Sequence, residues 1–121
     1  MKYGSSEDSK LTGGKVIFDE STAAASLKYG AFIMGDNPFT VIENPEVSNG
    51  QSCIVVKESF GNAFVPFLVD HYQTVYVVDY RYYGGSVSAL AKAKGVTDVL
   101  FVNNLSAIRG SYQMGKLAGV K

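Results

Sequence analysis

The chain has 121 residues, 46% of them apolar, with eleven basic and eleven acidic side chains and a formal net charge of zero. That length suits one domain with its own core, and no stretch approaches the roughly 20 apolar residues needed to span a bilayer. Zero net charge and scattered basic residues give no electrostatic case for nucleic acid or an anionic membrane surface.

Residues 1–14 are rich in serine, glycine and charge and end at Gly13-Gly14, the composition of a mobile or loosely attached arm. The segment Met1–Asp8 is polar and acidic and lacks the apolar stretch of a secretory signal, so the chain reads as cytoplasmic or as a piece of something longer. Residues 15–121 read as a single α/β domain. Lys15–Phe18 is a short strand-like run. Asp19 or Ser21 can cap a helix through Thr22–Tyr29, where alanine favours helix and Gly30 suits the position just past its end.

Ala31–Met34 is apolar and leads into the turn cluster Gly35-Asp36-Asn37-Pro38. Phe39–Glu43 is rich in β-forming residues and is ended by Asn44-Pro45. Asn49-Gly50 marks another turn before Cys53–Val56, whose unbroken apolar character suits a central strand covered on both faces. A lone cysteine excludes an internal disulfide and any multi-cysteine metal site. Its setting favours a buried, inert thiol over a reactive one.

The chain is organised around the next stretch. At Lys57-Glu58-Ser59 the apolar run stops at a charged pair and exposes a serine. Phe60, Ala63, Phe64, Phe67 and Leu68 then follow at the spacing of one helix face. Pro66 complicates that helix, which either begins near Phe64 or is kinked. Val75–Val78 is the next strand, ended by Asp79. Ser86 can cap a helix that turns Val87, Leu90 and Ala91 inward and stops at Gly95, and Val99–Val102 is a strand ended by Asn103-Asn104. Ser106-Ala107-Ile108 can open a last helix, which Gly110, Gly115 and Gly119 weaken into a frayed end. Strand, helix, strand, helix, strand at these spacings predicts parallel βαβ units with right-handed crossovers.

In a parallel sheet the carboxyl ends of the strands share one edge. Glu58-Ser59, Asp79 with Arg81, and Asn103-Asn104 therefore converge, although Ser, Asp and Asn are also common turn residues. Ser59 is the candidate nucleophile, and a nucleophilic serine needs a base within hydrogen-bond reach and donors for an oxyanion. His71, the only histidine, lies twelve residues further on, roughly 15–18 Å away along a helix, and reads as a surface or helix-end residue. Glu58 is expected to point to the opposite side of an extended chain. The residues thus supply a nucleophile without a base, and no cofactor or metal set. Tyr80, Tyr82 and Tyr83 are candidates for an association surface or a sugar-stacking platform, with ordinary partly buried tyrosines as the plainer reading.

The run Lys57–Leu68, followed by Asp70-His71-Tyr72 and Val75–Tyr83, resembles the C-terminal half of the DHHW family. These bacterial proteins are related to the SGNH hydrolase-like domains of alginate O-acetyltransferases. Tyr29–Phe32 and Gly35–Pro38 upstream, and Thr97–Phe101 downstream, fit the same pattern, so the resemblance spans about residues 15–108. It implies a three-layer α/β/α fold with a mainly parallel sheet, the SGNH hydrolase-like (flavodoxin-like) half of a longer domain.

Within that resemblance Ser59 matches the serine of the family's Asp-Ser motif, the nucleophile position. Gly84 or Gly85 falls where a backbone N–H is expected to face an oxyanion, and Asn103 or Asn104 where an asparagine completes the oxyanion hole. The sequence also departs from the family. The Asp-His-His-Trp segment that would supply the triad's Asp and His is missing, Glu58 replaces the usual Asp before the serine, and Asn37 stands where a histidine is expected. The resemblance implies an ancestral carbohydrate O-acetyltransferase or esterase, extracytoplasmic or at the cell surface, and inactive as this chain alone. The alternative is a non-catalytic binding or interaction module using the same edge. A domain lacking its other half exposes a sheet edge, so a homodimer is expected.

Overall fold

A computed structural model describes residues 1–19 and 24–121. Six strands, β1 (Lys2–Gly4), β2 (Thr12–Gly13), β3 (Phe39–Glu43), β4 (Ser52–Lys57), β5 (Thr74–Asp79) and β6 (Asp98–Val102), form one sheet in the order β2-β1-β3-β5-β4-β6. Three short helices follow β5 in the chain: α1 (Val87–Lys94), α2 (Leu105–Arg109) and α3 (Ser111–Gly119).

The expected mainly parallel, three-layer α/β/α sheet is not what forms. Only β5-β4-β6 is parallel, while β2-β1, β1-β3 and β3-β5 are antiparallel. The reason lies in the connection from β3 to β4, which occupies residues 44–51. Parallel neighbours need a crossover of a dozen or more residues, so this segment only reverses the chain. With β4 and β5 parallel, β3 must pair with β5 in the opposite sense.

The first 14 residues are also not a loose arm. β1 pairs with β3, and the buried Tyr83 hydroxyl donates to Glu7 at 2.7 Å. Lys15–Phe18 contributes a single bridge, Ile17 to Phe32, in place of a strand. The predicted helix from Asp19 or Ser21 falls partly on residues 20–23, outside the described residues, and Ala25–Ala31 is a 3-10 helix.

β4 is central and buried on both faces, as its apolar run predicts. On one face Ile54, Val56 and Val78 pack against Val87 and Leu90 of α1 and against Val120. On the other, Cys53, Val55, Val75 and Val77 pack against Ile33, Val65 and Leu68. Alternation along the strand assigns odd and even residues to the two faces. Burial, aided by the nearby Asp98 charge, pushes the Cys53 thiol up to about 12, in keeping with an inert side chain.

The segment after Ser59 forms two 3-10 helices, Ser59–Ala63 and Val65–Leu68, in place of one α-helix. A 3-10 helix repeats every three residues, and Asn62, Val65 and Leu68 are the ones turned inward. Phe60, Phe64 and Phe67, which the α-helical spacing assigned to the buried face, stay exposed, Phe67 at 74%. α1 follows the sequence reading to the residue. The Ser86 hydroxyl accepts from the Ala89 N–H, and Gly95 closes the helix in the left-handed region with φ +59°. Residues expected to fray instead build α2 and α3, because Asn104 caps α2 and the Val87 N–H donates to the Val120 carbonyl at 2.7 Å.

Leu90 is 1% exposed, and its truncation in Leu90→Ala is expected to cost about 2–5 kcal/mol in urea unfolding. Removing the cap with Ser86→Ala is expected to cost about 1 kcal/mol in the same measurement.

Candidate functional site

The parallel strands bring their carboxyl ends together, and β4 delivers Ser59 there. Glu58 does not point away. The chain leaves the extended conformation at Ser59, which turns the Glu58 side chain onto the amino end of the new 3-10 helix. Its Oε2 accepts from the Phe60 N–H at 3.0 Å and from the Ser59 hydroxyl at 3.4 Å. Its Oε1 accepts from the Asn104 N–H at 2.8 Å. One buried carboxylate therefore clasps the end of β4 to the end of β6.

Beneath this turn lies an ion-pair network. Lys57 and Asp79 are fully buried, with Nζ 2.9 Å from Oδ2. Arg81 completes the carboxylate through Nε at 2.9 Å and Nη2 at 2.6 Å, and its Nη2 also reaches Asp36 at 2.9 Å. Lys57 lies 3.7 Å from Asp36, and the Asn62 amide donates to the same Asp36 carboxylate at 2.8 Å. Gly61 rests directly on the Lys57 stem, where a Cβ would come within 2.5 Å of the lysine Cβ. The Gly35-Asp36 turn, the end of β5 and the serine turn are thus fastened to one another.

Burial alone would raise the Asp79 carboxyl, but the hydrogen bonds from Arg81 and the Lys57 ammonium outweigh it and hold it below the usual carboxylate range. The same contact with Asp79 raises the Arg81 guanidinium, so both partners stay charged.

The family model for DHHW protein matches residues 5–78, more than half of the chain. The chain belongs to the DHHW family. A DHHW family protein from Eubacterium siraeum DSM 15702 is 28% identical with a TM-score of 0.81, over 98% of this chain and 39% of its own. Bacillus cereus PatB1 is 31% identical with a TM-score of 0.66, over 80% of this chain and 32% of its own. A second PatB1 structure, with a sulfonyl adduct, is 31% identical with a TM-score of 0.60, over 70% of this chain and 29% of its own. The DHHW chain therefore spans well under half the length of each of these proteins. No curated protein matches it.

Of the residues singled out in the DHHW chain, Ser59 and the Asn103-Asn104 pair are brought together through Glu58. Asn104 uses its N–H on Glu58 and its side chain to cap α2, accepting from the Ser106 N–H at 2.8 Å. The Asn103 Oδ1 is buried without a hydrogen-bond partner among the described residues. Gly84 follows β5 and lines a cleft of about 370 Å³ with Tyr82, Lys116 and Gly119. Tyr80 and Tyr83 are core residues and cannot stack on a sugar; only Tyr82, at 57% exposed, presents its ring, with Arg81 4.9 Å from the centroid.

His71 stands at the wrong end of the sheet. Its carbonyl accepts from the Asn49 side chain, and Gln73 bonds Gln51, so it sits where β4 begins. The six residues of β4 put about 20 Å between there and Ser59. Among the described residues, no group of three or more histidine, cysteine, aspartate or glutamate side chains is placed to hold a metal. Sequence reasoning missed Tyr29, whose hydroxyl donates to the Phe60 carbonyl at 2.9 Å and which walls, with Ser59 and Phe60, a depression of about 150 Å³. A tyrosine thirty residues upstream gives no local signal of this role.

Asp79→Asn leaves the Lys57 ammonium buried beside a neutral group and is expected to cost about 3–5 kcal/mol at neutral pH. The Asp79 carboxyl is depressed in the folded state, so its contribution is present at neutral pH and is lost as pH falls below about 4. The acid limb of a stability-against-pH curve, from urea unfolding, is expected to be shallower in the variant than in the parent chain.

Proposed function

We propose that this DHHW chain carries the nucleophile side of a serine acyl-transfer site, with a carbohydrate as substrate and a location outside the cytoplasm or at the cell surface. The observation that carries this reading is the Ser59 hydroxyl. It stands at the end of a central parallel strand, hydrogen-bonded to Glu58 and opening onto the depression beside Tyr29. Strand ends of this kind are where α/β sheets keep their sites. Support comes from PatB1, one structure of which carries a sulfonyl adduct, since sulfonylation is a reaction of activated nucleophiles.

In this reading the Ser59 oxygen attacks an acyl carbonyl and forms an ester while the donor alcohol departs with a proton. A sugar hydroxyl or water then takes the acyl group. The attack needs a base to accept the serine proton. Glu58 already receives two backbone N–H groups, which tie it down as a positioning residue. His71 is a strand's length away. No other carboxylate or imidazole among the described residues is hydrogen-bonded to Ser59, so in this reading the base is supplied from elsewhere and the chain alone is expected to be inactive. The Asn104 N–H is spent on Glu58 and Gly84 lines a cleft that Ser59 does not, which leaves the Asn103 side chain as the oxyanion donor in this reading. A second reading, a non-catalytic binding module on the same edge, draws its support from the position of His71.

The isolated chain is expected to hydrolyse p-nitrophenyl acetate no faster than its Ser59→Ala variant. Joined to the part of the Eubacterium siraeum relative that it does not cover, it is expected to gain a rate that Ser59→Ala abolishes. A joined protein without that rate would leave the binding module, and a Ser59-dependent rate in the isolated chain would place the base within this chain.

A further inference from the structure

The turn before β3 is held in a conformation that its own residues disfavour. Ile33 has φ +48° and Met34 φ +59°, and Gly35 follows at φ +82°. Among the described residues, Ile33 and Met34 are the two non-glycine positions in the left-handed region. There a β-carbon crowds the following carbonyl oxygen, and a β-branched residue such as Ile33 is the worst placed. Ile33 cannot give way to glycine, because its side chain is 1% exposed and packs into the core face of Val55 and Val77.

Backbone strain of this kind persists only where the surroundings over-determine it. Here the restraint is local and specific. The Asn37 side-chain amide donates to the Ile33 carbonyl at 3.3 Å and to the Met34 carbonyl at 3.2 Å, so it grips the two strained residues themselves. The Ile33 N–H donates to the Val16 carbonyl at 2.8 Å and the Asp79 N–H to the Pro38 carbonyl at 3.0 Å, which ties both ends of the turn to the fold.

What the strained turn aims is Asp36. Its carboxylate accepts from the Asn62 amide at 2.8 Å and pairs with Arg81 at 2.9 Å. Asn62 lies one turn along the 3-10 helix that Ser59 opens. We propose that Asn37 is a positioning residue for Ser59: its amide clamps the left-handed Ile33-Met34-Gly35 turn, and that turn, through Asp36 and Asn62, sets the helix that presents the serine hydroxyl. This rests on the reading of Ser59 as the reacting group. Every link from Asn37 to the serine is a hydrogen bond or a short run of backbone.

The first test is a double-mutant cycle in the isolated chain, read as urea midpoints. Asn37→Ala is expected to lower the midpoint. Glycine adopts a positive φ freely, so in the Met34→Gly background the same substitution is expected to lower it by about half as much or less. Additive losses overturn the clamp. In NMR spectra of the isolated chain, Asn37→Ala is expected to shift the Asn62 side-chain amide and the Phe60 and Ala63 N–H signals, and to leave Leu90 and Ala91 in place. Changes confined to residues 33–38 overturn the transmission to the serine. In the joined protein described above, Asn37→Ala is expected to lower kcat about tenfold with KM unchanged, and adding Met34→Gly to recover most of the loss. A parent-like kcat, or a change in KM alone, overturns the proposal. A joined parent protein with no Ser59-dependent rate counts against Ser59 as the reacting group instead, and the isolated-chain measurements then decide the clamp by themselves.

Discussion

The Lys57–Asp79 pair is the constraint on which the rest of the molecule depends. Two fully buried charges are costly to remove from water, and they persist only where every lone pair and proton is answered. The sheet provides that answer through its register, which places Lys57 directly beside Asp79 on parallel neighbours. A slip of one residue would turn Lys57 to the other face and strand both charges. Arg81 and Asp36 complete the network, so the register of β4 against β5 also fixes the turn before β3 and the turn that presents Ser59. Gly61 is required on the same account, since any larger residue would collide with the lysine stem.

The serine turn is therefore stiff, and this bears on how a partial site can exist. Glu58 joins β4 to the start of α2, Tyr29 braces the Phe60 carbonyl, and the ion-pair network supports the floor. Positioning of this kind needs no base to be present. In the proposed reading, the chain holds the serine in place while a proton acceptor is supplied from elsewhere. The clasp uses the reach of the glutamate side chain, whose carboxylate meets both the Phe60 and the Asn104 N–H groups.

What was legible in the sequence was local. The apolar run of β4, the Ser86 and Gly95 caps of α1 and the turn residues after β5 and β6 each carry their signal within a few residues, and the structure places them as read. Strand direction was not legible from element order alone. It turned on residues 44–51 being too few for a crossover. The spacing of Phe60, Phe64 and Phe67 misled because Pro66 breaks a continuous α-helix and the segment forms two helices of period three, which bury a different set of residues. Glu58 was misplaced for a related reason, its direction having been inferred from an extended chain that ends there.

The solitary thiol has a practical side. Cys53 lies at the centre of the sheet between Val75 and Asp98 and is wholly excluded from solvent. A thiol reagent can reach it only when the cover of Ile33, Val65 and Leu68 lifts from that face of β4 or the sheet itself opens, so its modification rate counts openings of this core face. The native chain thus contains an internal clock for its own most protected region. A cysteine introduced on the surface would carry a dye alone, with the native one silent for as long as that face stays covered.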